Sequence, residues 1–321
     1  MGPVNAADQL DDTAPKKKIT YNIPILSAFF NIEKYFPLLL TEQGLDLYFY
    51  CESATNVGVW AGAAPSYEIS SVRYVAHEVN LDDAFVNQMK SSMQATGGVL
   101  SLSSTTYRYN QVNSTQTLDA NIDEELAISC RVKSLKGMLV RPQPQCINND
   151  KDRFCISVGQ SCGFSEGQFR IGSVLYPQSS IKFADKNRGE LFNEVRKCFG
   201  TIGSYGHGSK LNARTFRPMV ATDTSTNPAA GKQGLAPGHA RSNFLIAYDF
   251  ETFAKSATES GINVADRALP VSFNFKSNAI AGGVLQKAGG AEGNQKIRYD
   301  TFAMSDCIIY IDLMGKITTR I

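Results

Sequence analysis

The side chains with the most obvious chemistry in this sequence are its three histidines, His77, His207 and His239. A zinc or iron site needs histidine, cysteine or carboxylate ligands at set short spacings, such as His-x-His or His-Glu-x-x-His. None of the three histidines has such neighbours in the sequence. We therefore interpret them as structural residues and predict neither a metal nor any other cofactor.

A glycine-rich stretch at residues 203–210, GSYGHGSK, comes close to a phosphate-binding loop. That loop requires Gly-x4-Gly-Lys-Ser/Thr, so that the lysine reaches the phosphates and the hydroxyl binds magnesium. Here Ser209 precedes Lys210, and the stretch follows a predicted helix instead of a strand. We therefore reject a nucleotide site at this stretch.

The acidic run Asp123, Glu124 and Glu125 could imitate the carboxylate pair of a glycosidase. We interpret these residues as solvated members of a polar turn, so no enzyme activity is predicted. A sugar-binding or sugar-cleaving β-sandwich would favour exposed aromatic residues beside acids, and Trp60 is the one tryptophan of the chain. Such a carbohydrate-active protein is the alternative function from a different class.

The seven cysteines are scattered and include no Cys-x2-Cys pair, which argues against a structural zinc site. Cys51, Cys130 and Cys307 lie in apolar, strand-like runs and are predicted to be buried thiols. Free thiols are typical of a reducing compartment. The polar residues 1–18 do not resemble a signal peptide, so we expect a soluble protein that folds inside a cell and is not secreted.

Charge is close to balanced overall but is uneven along the chain. The net charge of +2 is too small to predict a general electrostatic attraction to nucleic acid or to a membrane. Residues 19–144 carry 8 basic against 12 acidic side chains, and residues 166–321 carry 19 against 13. The resulting charges, −4 and +6, could help copies of the chain to meet head to tail.

The stretch 67–98 shows how the elements of this chain are organised. Alternating apolar residues predict a strand over 67–79, with a slip at Ser70 and Ser71. The period then changes to that of a helix, which Asn80 or Asp82 can cap and which Gly97-Gly98 ends. A strand that leads into a helix and then into more strands predicts a helix packed on the side of a β-sandwich.

The second half repeats this order of strands, one side helix, then further strands. Alternation predicts strands over 168–177, 243–253, 268–277 and 306–313, with a helix over 190–199. Long loops at 201–241 and 278–295 favour Greek-key or jelly-roll connections. The predicted fold is all-β, with a flexible arm at 1–18, one domain at 19–144, a linker at 145–165 and a second domain at 166–321.

Several stretches of this chain, taken in order, resemble the double jelly-roll major capsid proteins of small tailless icosahedral viruses. Those viruses include polinton-like viruses, virophages and small bacteriophages. The matching stretches include IPI…YFPLLL…GLDLYF (23–49), YEISSVRYVAHEVNLDDAFVNQM (67–89), RIGSVLYPQSSI (170–181) and SDCIIYIDLMGKITTRI (305–321). They are spread over nearly the whole length of the chain.

The resemblance implies two tandem eight-stranded jelly rolls, each with a short side helix. It also implies a structural protein whose homotrimers, hexagonal in outline, tile an icosahedral shell in the virion. The implied partners are copies of the same chain, neighbouring capsomers and minor or penton capsid proteins. A minor or vertex capsid protein is a further alternative.

The resemblance also suggests which residues contact other molecules. Lys16, Lys17 and Lys18 of the N-terminal arm would face the genome or an internal membrane. Trp60 and the loop 201–241 would contact neighbouring subunits. The candidate contact residues in that loop are His207, Lys210, Arg214 and Phe216.

Overall fold

The structure is a computed structural model of the chain. It describes residues 20, 22–23, 25, 27–30, 32, 35–42, 44–51, 67–117, 119–144, 163–183, 188–199, 216, 244–251, 260–266, 269–279 and 296–321.

Two antiparallel sheets and two α-helices make up most of the regular structure in these residues. The strands are β1 Val99–Thr117, β2 Ile122–Ile128, β3 Leu135–Pro144, β4 Phe164–Ile171, β5 Val174–Lys182, β6 Ile246–Asp249, β7 Val271–Ser277, β8 Lys296–Asp312 and β9 Ile317–Arg320. The helices are α1 Asp83–Ala95 and α2 Gly189–Cys198, with a short 3-10 helix at Leu38–Leu40. The predicted all-β class with two short helices is confirmed.

Strand order shows that each sheet joins strands that are far apart in sequence. One sheet has the order β1-β8-β3-β6, with β9 paired to β8, and the other has the order β2-β7-β4-β5. Leu126 of β2 pairs with Phe273 of β7, and Val140 of β3 pairs with Thr301 of β8. Both sheets therefore combine strands from the two sides of the predicted linker at 145–165.

Contacts divide the chain differently from the predicted domains. One unit comprises Met1–Thr106 with Cys307–Ile321, and the other comprises Tyr107–Asp306. The predicted division was 19–144 and 166–321. Local alternation identifies a strand but not its partner, so the long-range pairing of β2 and β3 could not be predicted from it.

The core of the 107–306 unit is aromatic. Phe164 stacks on Phe275 at 4.5 Å between ring centroids, and Phe169 lies 4.8 Å from Phe273. These rings alternate with outward residues along β4 and β7, as the two-residue period of a strand requires. Gly167 makes room for them, since a Cβ there would lie 2.7 Å from Phe273 and 2.8 Å from Phe183.

Helix α2 covers one side of this unit. Leu191, Val195 and Cys198 are buried on its inner face, and the helix contacts β6, β5 and β3. A Cβ on Gly137 of β3 would lie 2.7 Å from the Cys198 sulfur, so glycine lets the helix approach the sheet. The helix predicted at 190–199 is thus confirmed.

The other unit has a smaller core around α1. Met93 is buried with Leu40, Ile309 and Ile311, and Met89 packs against this cluster. Gly97 and Gly98 have φ angles of +94° and +80°, and the Gly98 N–H donates to the Met93 carbonyl at 2.8 Å. The predicted helix and its glycine stop are confirmed.

The apolar stripe of α1, formed by Leu81, Phe85, Met89 and Met93, is only partly buried. Of its four residues, Met93 is buried and Met89 is partly buried, whereas Phe85 and Leu81 are exposed. The N-terminal end of the helix therefore carries apolar surface that the described residues do not cover.

The strand predicted over 67–79 is wrong for the described structure. Residues 67–82 lie outside regular secondary structure, and all of them are exposed. The sequence also alternates in apolar character over 45–51, but these residues form no strand in the structure. Ser71 has a φ of +56°, at the position where the alternation slips. Alternation indicates that a segment can join a sheet, but a strand also needs a neighbour to bond with.

Two further sequence patterns were divided in the structure. The alternating run 126–141 is split between β2 and β3, which belong to different sheets. The run 168–177 is split between β4 and β5 by a turn at Gly172, where φ is +59°. In both places the apolar alternation of the sequence continues where one strand ends and the next begins.

Candidate functional site

A buried polar cluster joins three strands of the 107–306 unit. The Lys136 ammonium lies 3.1 Å from Glu251 Oε1 and 3.1 Å from Asp306 Oδ1. The Ser134 hydroxyl donates to Asp306 Oδ2 at 2.6 Å, and the Ser260 hydroxyl donates to Glu251 Oε1 at 2.6 Å. The side chains of Lys136, Glu251 and Asp306 are 15%, 13% and 7% exposed, so these charges are largely removed from water.

Backbone pairing sets the geometry of this cluster. Lys136 lies in β3, between β6 and β8. The Phe250 N–H donates to the Lys136 carbonyl at 2.7 Å, and the Asp306 N–H donates to the Ser134 carbonyl at 3.2 Å. These bonds hold Glu251, just after β6, and Asp306, in β8, on either side of the lysine.

The cluster is suited to holding the strands together rather than to catalysis. Burial alone would lower the pKa of Lys136, but hydrogen bonds and charge from Glu251 and Asp306 outweigh it and raise the pKa. The lysine therefore stays a charged ammonium and is a poor nucleophile. Its charge links two carboxylates that would otherwise repel one another.

Burial also makes the cysteine thiols near the sheets unreactive. Burial, with the charges of Asp249, Glu251 and Glu194, raises the pKa of Cys198 to about 12. Burial likewise raises the pKa of Cys130 to about 11. Since the thiolate is the reactive form, neither group is activated. The prediction of buried thiols is confirmed for Cys130 and Cys307 and is wrong for Cys51, which is exposed.

The acidic run at 123–125 lies in a strand and not in the predicted turn. All three residues belong to β2, which pairs with β7. Glu124 Oε2 accepts a hydrogen bond from Ser114 at 2.7 Å, and Glu125 Oε1 accepts one from Ser272 at 2.6 Å. Two of these carboxylates therefore accept hydrogen bonds from other strands, Glu124 from β1 and Glu125 from β7. The local sequence did not reveal these contacts.

The structure describes few of the predicted contact residues. Phe216 is buried, with its ring 5.3 Å from Phe192 and 5.6 Å from Phe244. Its side chain thus belongs to the interior of its own chain. The other candidates lie outside the described residues: Lys16, Lys17, Lys18, Trp60, His207, Lys210 and Arg214. His77 is exposed in the 67–82 segment.

An exposed aromatic set in the N-terminal unit was not singled out from the sequence. It consists of Tyr48, Phe49, Tyr50, Tyr74 and Phe85, which are 78%, 62%, 96%, 55% and 52% exposed. An aromatic side chain carries 150–250 Å² of surface, so the set exposes about 500–850 Å² per chain. The alternating pattern at 45–51 and 67–79 was the available signal, but it was interpreted as sheet core.

The same unit contains a pocket of about 330 Å³ beside α1. Leu39, Met93 and Leu313 supply apolar walls, while Lys90 and Glu42 supply charge. Its shape depends on Gly315, which has a φ of +77° and where a Cβ would lie 2.6 Å from the Glu42 nitrogen. Mixed walls of this kind do not specify one ligand.

Metal binding and membrane insertion are two further functions on which the described residues bear. No group of three or more His, Cys, Asp or Glu side chains is placed to share a metal ion among them. None of the helices described there combines the length and the apolar character needed to span a membrane.

No known protein family and no curated protein matches this sequence. Solved structures do match. VP54 of PBCV-1, fitted into a cryo-EM reconstruction of the virophage Sputnik, gives a TM-score of 0.38 at 8% identity and covers 74% of this chain and 54% of its own. The mavirus major capsid protein gives a TM-score of 0.37 at 10% sequence identity, and the match covers 70% of this chain and 42% of that one.

A cryo-EM structure of the Sputnik virophage gives a TM-score of 0.36 at 10% identity, covering 70% of this chain and 39% of that one. This chain therefore spans about half the length, or less, of the chains that it matches.

Proposed function

We propose that this protein is a structural capsid protein that assembles with copies of itself. In its full form the proposal is a major capsid protein whose homotrimers, hexagonal in outline, tile an icosahedral virus shell. The arm with Lys16–Lys18 would face the genome or an internal membrane, and minor or penton proteins would occupy the remaining positions. The residue-level resemblance, which is spread over nearly the whole length of the chain, suggests this family.

The exposed aromatic set carries the proposal. Isolated apolar residues on a protein surface are ordinary, but five aromatic side chains at 52–96% exposure within 48–85 are not. Their exposed area is comparable to the ~800 Å² that each partner contributes to a standard protein interface. Contact between copies would bury this aromatic surface and so stabilise an assembly of several chains.

Symmetry adds a second argument. A surface on one copy that binds a different surface on the next copy closes into a ring when the rotation allows it. The two units have opposite charges, since residues 1–106 with 307–321 carry 8 basic against 12 acidic side chains (−4) and residues 107–306 carry 24 against 18 (+6). Such charges suit a head-to-tail contact between copies. The proposal agrees with the name of the mavirus protein, but it rests on these surfaces and on the sequence resemblance rather than on that structural likeness.

Electron microscopy of the purified protein tests the proposal. We expect negatively stained particles with three-fold averages and a hexagonal outline. The variant Tyr48→Ser/Phe49→Ser/Tyr50→Ser should lose these particles, because it removes three of the five exposed rings. A matched control, Val174→Ser, changes a half-exposed apolar residue of β5 and should assemble normally. Assembly of the triple variant at the level of the control would contradict the proposal.

A further inference from the structure

The turn that joins β8 to β9 presents two apolar side chains to water. Leu313 and Met314 are 47% and 82% exposed, although turns are built mainly from Gly, Pro, Asn, Asp and Ser. Asp312 Oδ1 accepts the N–H groups of Met314 and Lys316 at 2.9 Å each. The Asp312 carbonyl also accepts the Gly315 N–H at 3.0 Å. These bonds fix the turn, so a partner that binds its apolar side chains would have little extra backbone to order.

The pocket of about 330 Å³ lies beside this turn, in the same unit of the chain. The Glu42 N–H donates to the Gly315 carbonyl at 3.4 Å, which ties the turn to one wall of the pocket. The apolar residues that line the pocket are Leu39, Leu40, Met93, Leu313 and Met314. Its volume is near the lower end of the about 300–1,000 Å³ that ligand pockets occupy, so it suits a few side chains better than an extended ligand.

Two opposite charges line the same pocket. They belong to Glu42 and Lys90, and both residues are exposed. Within the described part of the chain, neither side chain takes part in an ion pair or a hydrogen bond. In a two-fold contact, residue i of each copy meets residue j of the other. A surface that combines an apolar tip, an apolar pocket, an acid and a base is therefore complementary to a second copy of itself.

We propose that the tip formed by Leu313 and Met314 of one copy enters the pocket of a second copy and receives that copy's tip in return. Lys90 of each copy then faces Glu42 of the other. This inference rests on the proposed function, because trimers that tile a shell must also contact one another. It assigns one such contact, and it uses none of the residues of the exposed aromatic set.

The size of the surface suits a contact between trimers. Its exposed apolar side chains are Leu38, Leu39, Leu313 and Met314, at 51%, 43%, 47% and 82%. Four side chains exposed to this extent supply less than the ~800 Å² that each partner gives to a standard interface. One such contact is weak, but several that form together between linked copies are strong. A small molecule in the pocket would not account for the apolar tip beside it, whereas a second copy accounts for both.

Sedimentation velocity of the full-length protein at rising concentration tests this contact. We expect trimers to pair into species of about 210 kDa, which is six chains of 35.0 kDa, and into larger assemblies. Met314→Ser should raise the concentration needed for pairing about tenfold and leave the trimer intact. The control Val174→Ser should pair like the unsubstituted protein. Equal pairing of the two variants would overturn the inference.

Charge exchange tests the two-fold geometry itself. Lys90→Glu or Glu42→Lys alone would place like charges opposite one another, so each should weaken pairing about tenfold. The double variant Glu42→Lys/Lys90→Glu restores opposite charges across the contact and should pair like the unsubstituted protein. A double variant as weak as the single variants would contradict the contact. Pairing that none of these changes affects would also contradict it and would favour a small ligand as the occupant of the pocket.

The same measurements separate this inference from the proposed function. If trimers form but do not pair through this surface, the inference fails while the proposed function stands. If the protein instead forms dimers of two chains that Met314→Ser weakens, the two-fold contact stands while the proposed trimer fails. A monomer at every concentration would contradict both.

Discussion

Lys136 lies between the two carboxylates of the buried polar cluster. It neutralises Glu251 and Asp306. Ser134 donates to the other oxygen of Asp306, Oδ2, and Ser260 donates to Glu251 Oε1, the oxygen that Lys136 also contacts. A buried carboxylate is tolerated only when it is paired and hydrogen-bonded. The lysine thus permits two acids to lie inside the sheet region, and its removal leaves both without a counter-charge.

We expect Lys136→Met to lower the free energy of unfolding by about 3 kcal/mol, because methionine fills the space but takes the ammonium away from two buried carboxylates. Urea denaturation followed by circular dichroism measures the change. The matched control is Lys276→Met, which removes an ion pair to Glu166 at 2.9 Å from a side chain that is 56% exposed. Water screens that pair, so no measurable change is expected. Equal stabilities of the two variants would contradict the account of the cluster.

Sequence reasoning did not find this cluster. Its members come from β3, from the end of β6 and from β8, so more than 100 residues separate Lys136 from each acid. The one available signal was a lysine within the otherwise apolar run SLKGMLV, since a charged residue in a buried strand requires a partner. That signal predicts a partner but does not identify it.

At the scale of the elements, close packing between strands depends on small residues. Gly167 lies in β4, opposite the rings of Phe273 and Phe183. These rings fill the space that a side chain at 167 would need, so the aromatic core and the glycine are complementary. Sequence alternation predicted the strands around Gly167 but not this contact, because the glycine leaves no pattern of its own.

Gly167→Ala should lower the free energy of unfolding by about 1–3 kcal/mol, because the added methyl group forces buried rings to move. Gly189→Ala is the matched control, since a Cβ there meets nothing within 4 Å. Residue 189 begins α2, so alanine should change stability by less than about 1 kcal/mol, in the stabilising direction. Thermal unfolding measures the stability of both variants. A Gly167→Ala variant as stable as the unsubstituted protein would contradict the prediction and would show that the buried rings can move without cost.

At the scale of the whole molecule, the sequence predicted elements better than their partners. Both helices were predicted because their apolar period and terminal glycines are local signals. Two tandem jelly-roll domains were expected, but the pairing of β2 with β7 and of β3 with β8 was not, since register and partner depend on contacts distant in sequence. Residues 67–79 were predicted as a strand, and the structure leaves them exposed and outside regular secondary structure.

That difference between pattern and structure is what an assembling protein would show. If the proposed function holds, a segment with the alternation of a strand, but no neighbour in the described part of its own chain, would gain a partner when copies meet. The same reasoning accounts for the exposed rings at 48–50, which have no covering element among the described residues. We therefore expect copies of this chain to associate with one another.

The solution mass of the purified protein, measured by light scattering over a range of concentrations, tests that claim most directly. The chain has a mass of 35.0 kDa, and three copies have about 105 kDa by simple tripling. We predict a stable species of about 105 kDa, which would lead next to the contacts between trimers. A mass of 35.0 kDa at every concentration would contradict the account and would favour the carbohydrate-binding alternative, which glycan arrays would then test.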